Sequence, residues 1–328
     1  MKFLLYELNK LNMFKVEKFV QEKIEEIKRK IGKDKAIVAC SGGIDSTVAA
    51  ILVKKAIGNN LVAVFVNTGF LRKNEAENTK KMLEKLDLNL KFIDASEDFV
   101  NSLKGVTDPE EKRKIIGEKF VRIFEKVANN INAKYLVQGT IAPDWIESGG
   151  GLRHTIKSHH NVGGLPNNIS LQIIEPLRDL YKDEVRKIAE YLNIPIYEKQ
   201  PFPGPGLAVR ILGEVTKERL EIVREANSIV EEEIERFVKE KKINKPWQYF
   251  AVLIPVKTVG VQGDIRSNGY IIAIRAVESL DGMSASYSKL SHEILEKISI
   301  RITNTLKDYV NRVVYDITNK PHATIEWE

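Results

Sequence analysis

The sequence predicts an α/β protein, a doubly wound parallel sheet followed by a second, smaller α+β domain. Three observations carry that reading. Short buried-strand runs alternate with helical patterns between residues 35 and 137, the alternation fails in a glycine-rich stretch from Thr140 to Asn168, and Pro201-Phe-Pro-Gly-Pro-Gly206 cuts the chain before a different order of elements begins. Strand–helix alternation is the signature of parallel strands joined by crossover helices, and such sheets bind ligands at the carboxyl ends of their strands.

Val16, Phe19, Val20, Ile24, Ile27 and Ile31 recur at three and four residues, so 14–31 reads as an amphipathic helix stopped by Gly32. Lys35-Ala-Ile-Val-Ala-Cys40 is a short buried strand, and after the turn Ser41-Gly-Gly43 a helical pattern runs from Asp45 to Ile57. Leu61–Val66 is a second strand, followed by a helix over Asn74–Leu86, a strand at Leu90–Ile93, a helix over Glu110–Ala128 and a strand at Tyr135–Val137. Through Thr140–Asn168 there is no apolar period, and a loop of that length inside a compact domain is usually functional. Order returns in a strand at Leu171–Ile174 and a helix at Lys182–Leu192. The proline–glycine break sets the expected boundary between residues 1–203 and 204–328. Beyond it come a helix over Lys217–Val238, strands at Phe250–Val256 and Tyr270–Val277, a helix over Ser288–Asn304 and an extended end.

A chain of 328 residues, 43% hydrophobic and 29% charged, is long enough for two cores and excludes a disordered tail or a short peptide binder. Its longest apolar runs fall far short of the roughly 18–20 residues of a membrane span, and the first residues lack the apolar stretch of a secretory signal, so a cytoplasmic protein is expected. The single cysteine, Cys40, excludes a disulfide framework and fits a reducing compartment. Before residue 201 there are 33 basic and 27 acidic residues, and after it 18 of each, so all of the net +6 lies in the first part. An excess of positive charge there suits an anionic ligand, either a nucleotide polyphosphate or an RNA. The basic–aromatic interleaving of single-strand binders is not evident, and the lysine-rich stretches sit on helical patterns as solvated faces.

Ser41-Gly42-Gly43-Ile44-Asp45-Ser46-Thr47, between a buried strand and a helix start, is the sharpest local signal. Glycines let the backbone approach an anion, a helix N-terminus offers free N–H groups and a favourable dipole, and three hydroxyls add donors. Asp45 is repulsive to a phosphate unless a cation such as Mg²⁺ lies between them. The glycine–lysine loop of the common nucleotide triphosphatases is absent. In the long loop Asp144 and Glu147 are three residues apart, as two carboxylates that share one side of a helical turn would be, and could hold Mg²⁺ or orient a nucleophile. Lys157 is a mobile point charge suited to a departing pyrophosphate, and His159 and His160 could serve as acid–base groups or phosphate donors. Two adjacent histidines without a His-x₃-His pair or further cysteines do not make a zinc site. Gly204-Pro-Gly206 follows prolines and no strand, so it is no dinucleotide fingerprint.

Ser-Gly-Gly-Ile-Asp-Ser after a first strand resembles the PP-loop signature of the N-type ATP pyrophosphatases. Further segments narrow the resemblance to the ATP pyrophosphatase part of the GMP synthetase family: Asp108–Gly117, Gln138-Gly139-Thr140 with Pro143–Ser148, Thr155–Pro166, Gln200–Arg210, Lys257–Asp264, Glu278–Met283 and Lys320–Glu328. The resemblance runs from about Phe14 to Glu328, so residues 1–12 are expected to be a dispensable extension. It implies an adenine nucleotide alpha hydrolase-like sheet and a second domain that makes a homodimer. By the same resemblance ATP is bound by Ser41, Gly42, Gly43, Ile44, Asp45, Ser46, Thr47, Val66 and Gly139, with Asp45 at the metal. Asp45, Asp144, Glu147, Lys157, His159 and His160 surround the reacting phosphates. Asn67 stands at the adenine edge where the family commonly has aspartate. Xanthosine monophosphate (XMP) is met by Arg113, Gln262, Lys320, Ile325 and Glu326, and an arginine, a lysine and backbone amides suit its 5′-phosphate.

The implied reaction is carbon–nitrogen ligation: the XMP 2-oxygen attacks the α-phosphate of ATP, pyrophosphate leaves, and ammonia displaces AMP from adenylyl-XMP to give GMP. The forty residues before Ser41 offer no histidine and no glutaminase context for Cys40, so ammonia is expected from a separate glutaminase subunit, with no nucleic-acid or membrane partner. Two other readings stay open on the residues: a tRNA-modifying or other N-type ATP pyrophosphatase with a different substrate, and a non-catalytic nucleotide sensor. The first lacks the extra cysteines that sulfur carriers need.

Overall fold

The computed structural model describes residues 15–143, 171–195, 200–262, 264–280 and 282–328. Helix α1 (Val16–Ile31) ends on Gly32, whose φ of 59° explains why a glycine stops it. There follow β1 (Lys35–Ala39), α2 (Ile44–Ile57), β2 (Leu61–Asn67), α3 (Glu75–Lys85), β3 (Leu90–Asp94), α4 (Ser96–Ser102), α5 (Pro109–Ile131), β4 (Ala133–Val137), β5 (Gln172–Ile174) and α6 (Lys182–Tyr191). The alternation read from the sequence is present element by element, with α4 added. That helix is seven residues long, too short for a periodic signal to register. Helix α5 starts one residue earlier than the period alone suggests because Asp108 caps it: its Oδ1 accepts from Glu111 N at 2.8 Å, and Pro109 fills the first helical position.

The five strands form one parallel sheet in the order β3-β2-β1-β4-β5. Period-two alternation divides β1 between two cores: Ala36 and Val38 face α1, α2 and α6, while Ile37 faces the opposite layer with Val64, Val66 and Leu136. Helix α2 is apolar all round, buried from Thr47 to Val53, as a helix against the middle of a sheet must be.

After the break a 3₁₀ turn (Gly206–Arg210) leads to α7 (Lys217–Lys239), β6 (Gln248–Gln262), β7 (Ile265–Glu278), β8 (Ser286–Tyr287), α8 (His292–Thr305) and β9 (Val310–Tyr315). β6 and β7 form a long antiparallel hairpin, and β9 runs parallel beside β7. The hairpin is longer than the apolar runs predict, since beyond Pro255 it is exposed at Val256, Val259, Val261 and Ile265 and carries no burial pattern to read. The register shift between Ile254 and Thr258 accommodates the proline.

The proline–glycine break lies packed against the first domain. Leu207 N donates to Phe70 O at 2.7 Å, and a Cβ at Gly206, whose φ is 63°, would stand only 2.3 Å from that oxygen. Phe70, Phe99 and Ile116 join Leu207, Val223, Leu253 and Ile272 in one apolar cluster across the junction. No described helix is long and apolar enough to cross a membrane.

Candidate active site

The order β3-β2-β1-β4-β5 reverses direction at β1, so the ends of β1 and β4 form the switch point where an open α/β sheet binds its ligand. The glycine loop stands there. Ser41 Oγ accepts from Gly43 N at 3.3 Å, Ser46 Oγ donates to Gly43 O at 3.1 Å, and Thr47 Oγ1 donates to the same carbonyl at 2.8 Å. These bonds fix the loop by its own hydroxyls. Gly43 caps α2 with no side-chain bond, so the first N–H groups of the helix remain directed at the loop, the arrangement that binds phosphate.

Two glycines are dictated by close approach. Gly42 has φ 75°, and a Cβ there would meet Thr79 Cγ2 at 2.6 Å. A Cβ at Gly139, just past β4, would stand 2.7 Å from Ser46 N. The Gln138-Gly139-Thr140 segment is thus pressed against the first turn of α2. Thr79, on α3 below the loop, has a buried hydroxyl without a hydrogen-bond partner among the described residues.

Asp45 divides its carboxylate. Oδ2 pairs with Lys182 Nζ at 2.5 Å, while Oδ1 is buried and has no hydrogen-bond partner among the described residues. A buried, unpaired carboxylate oxygen is costly unless a ligand completes it, so this residue fits a hard cation beside a polyphosphate. Lys182, the first residue of α6, was not singled out from the sequence. The one available signal was a lysine at a helix start, where the dipole disfavours a cation and another purpose is implied.

The adenine edge offered by β2 is backbone, because Val66 turns its side chain into the core. Asn67 Oδ1 accepts from Gly69 N at 3.0 Å, and beside it Asp94 is held below the usual carboxylate range, first by Ser96 N–H and less by the Asn67 side chain. Cys40, at the β1 end, is buried, which pushes its thiol up to about 12. It is therefore inert as a nucleophile at neutral pH. Asp144, Glu147, Lys157, His159 and His160 lie outside the described residues, as do residues 1–14.

The residues expected to meet XMP are drawn from three places. Lys320 Nζ donates to Gly282 O at 2.7 Å, and its backbone exchanges two bonds with Ala285. Ile325 packs with Trp327 on Phe250, Val252 and Ala273, so the terminal segment is docked. Arg113 pairs with Glu110, one residue from Lys112, which is fully buried and ion-paired with Glu328. Helix α5 and the terminal segment therefore meet. Gln262 is the last residue of β6, fourteen positions from Gln248, whose Nε2 reaches Glu326 at 2.8 Å. At about 3.3 Å per residue, some 45 Å of strand separates Gln262 from that contact.

Residues 13–140 match the NAD synthase family, and residues 233–327 match the GMP synthase C terminal domain. A glutamine-hydrolyzing GMP synthase subunit of Methanopyrus kandleri is 59% identical over 319 residues, covering 96% of this chain and 100% of that one. The protein of the same name from Thermococcus kodakarensis is 61% identical over 95% of this chain and 99% of its own length. The glutamine-hydrolyzing GMP synthase of Thermotoga petrophila, which is not divided into subunits by name, is 56% identical over 96% of this chain, and the match spans 63% of that longer protein.

Proposed function

This chain belongs to the family of glutamine-hydrolyzing GMP synthase subunits, and from that premise we propose how its residues carry out the ATP-dependent amination of XMP to GMP. ATP lies with its phosphates on the loop Ser41–Thr47 and the N-terminus of α2. Its adenine lies at the backbone edge of Val66 and Asn67, and Gly139 closes the opposite wall. The observation that carries this reading is the switch-point loop with the half-satisfied Asp45 beside Lys182.

Mg²⁺, held through Asp45 Oδ1, would offset phosphate charge during attack at the α-phosphorus. Lys182 keeps the other carboxylate oxygen oriented and adds positive charge at the same end of the sheet. The XMP 2-oxygen displaces pyrophosphate, and adenylation turns a poor leaving oxygen into a good one, so that ammonia attacks C2 and AMP departs. Asp144, Glu147, Lys157, His159 and His160 are proposed to act on the migrating phosphates.

Ammonia is supplied by a separate glutaminase subunit, as the names of the relatives imply, and the reaction takes place in the cytoplasm. The chain acts as a homodimer. The long strand between Gln262 and the terminal segment supports this: a second copy can supply Gln262 to an acceptor site that its own hairpin carries it away from. Incubating the protein with ATP, Mg²⁺, XMP and ammonium should yield AMP, pyrophosphate and GMP in equal amounts. AMP without GMP, or no turnover, would refute the assignment.

A further inference from the structure

Three fully buried cations converge on the terminal segment: Lys112 on Glu328, Arg275 on Asp316 and the carbonyls of Thr318 and Thr324, and Arg210 on Glu326. Arg210 holds the most constrained of these contacts. Its Nε and Nη2 donate to Oε2 and Oε1 of Glu326 at 3.0 and 2.9 Å, a two-pronged fork, and Nη1 donates to Asn227 Oδ1 at 3.2 Å. Its guanidinium carbon stands 4.0 Å from the Phe250 ring centre and 5.0 Å from that of Phe202, which also takes Arg72 at 4.7 Å. Arg210 is thus immobilised by the strap, α7 and β6 together, while Gln248 binds the same Glu326 oxygen.

We propose that Arg210 is a positioning residue for the acceptor nucleotide, fixing the segment Lys320–Glu326 and masking the charge of Glu326. This rests on the reading that the segment meets XMP. A free carboxylate beside a 5′-phosphate would repel it. Bound to Arg210 and Gln248, the Glu326 side chain is engaged, and the positive charge of Lys320 and Arg113, with main-chain N–H groups, is left to meet the anion. A lysine at position 210 would keep the charge but lose the fork.

The test compares wild type, Arg210→Lys, Arg210→Ala and Glu326→Gln by steady-state kinetics and by hydrogen exchange of residues 316–328. For Arg210→Lys the KM for XMP should rise about tenfold, the loss of one charge-assisted bond, with the KM for ATP changed less than about twofold. Millimolar guanidinium should partly restore Arg210→Ala, and exchange in 316–328 should speed up in each variant. If the Arg210 variants do not fold, Glu326→Gln probes the same contact and should show the same split. An unchanged KM for XMP, or equal effects on ATP and XMP, would overturn the proposal. Absence of XMP turnover by wild type would instead remove the functional reading, and the exchange experiment would still report whether Arg210 holds the segment.

Discussion

Asp45 offers the most direct residue-scale test, because its two oxygens stand in different surroundings. Asp45→Ala should lower pyrophosphate release by more than about a hundredfold, the scale of losing one preorganised electrostatic contact, while circular dichroism stays that of the native chain. Normal turnover with normal magnesium dependence would contradict its role. Cys40 makes the opposite prediction. With a thiol pushed up to about 12, only about one part in ten thousand is thiolate at pH 8. A thiol reagent should leave the native protein unmodified at that pH and label it on unfolding; rapid native labelling would show that the site is open.

At the scale of elements, the contacts that matter are glycines pressed between them. Gly139→Ala would drive β4's end away from the first turn of α2, and the KM for ATP should rise about tenfold, or about 1.4 kcal/mol, with little change in the KM for XMP. Gly206→Ala acts elsewhere: it combines a positive φ with a Cβ placed on Phe70 O, so it should destabilise the whole chain by about 2 kcal/mol or more in denaturant unfolding. Two separate unfolding transitions in the wild type would mean that the junction is weaker than its continuous apolar cluster implies.

For the whole molecule, nitrogen source and subunit exchange are the decisive measurements. The chain should form GMP with ammonium and not with glutamine, and the rate should rise with pH as more NH₃ is present. Glutamine-dependent synthesis free of contaminating ammonia would overturn the two-subunit reading. If Gln262 serves the neighbouring copy, a mixture of Asp45→Ala and Gln262→Ala should recover activity that neither has alone. Half the dimers would then be mixed, each with one intact site, giving about a quarter of wild-type activity. No recovery after verified exchange would place Gln262 in its own chain's site.

The alternation from Lys35 to Val137 and the loop Ser41–Thr47 were legible in the sequence because both are local: a period of two or 3.6 and a glycine-rich turn arise within a few residues. The order of strands around β1, the approach of Gly139 to Ser46, the pairing of Asp45 with Lys182 and the grip of Arg210 on Glu326 join residues up to 137 positions apart. Such contacts leave no periodic trace. A buried lysine or arginine looks like a solvated one until the opposing carboxylate is in place, because the cost of desolvating the charge is set by the partner that folding brings to it.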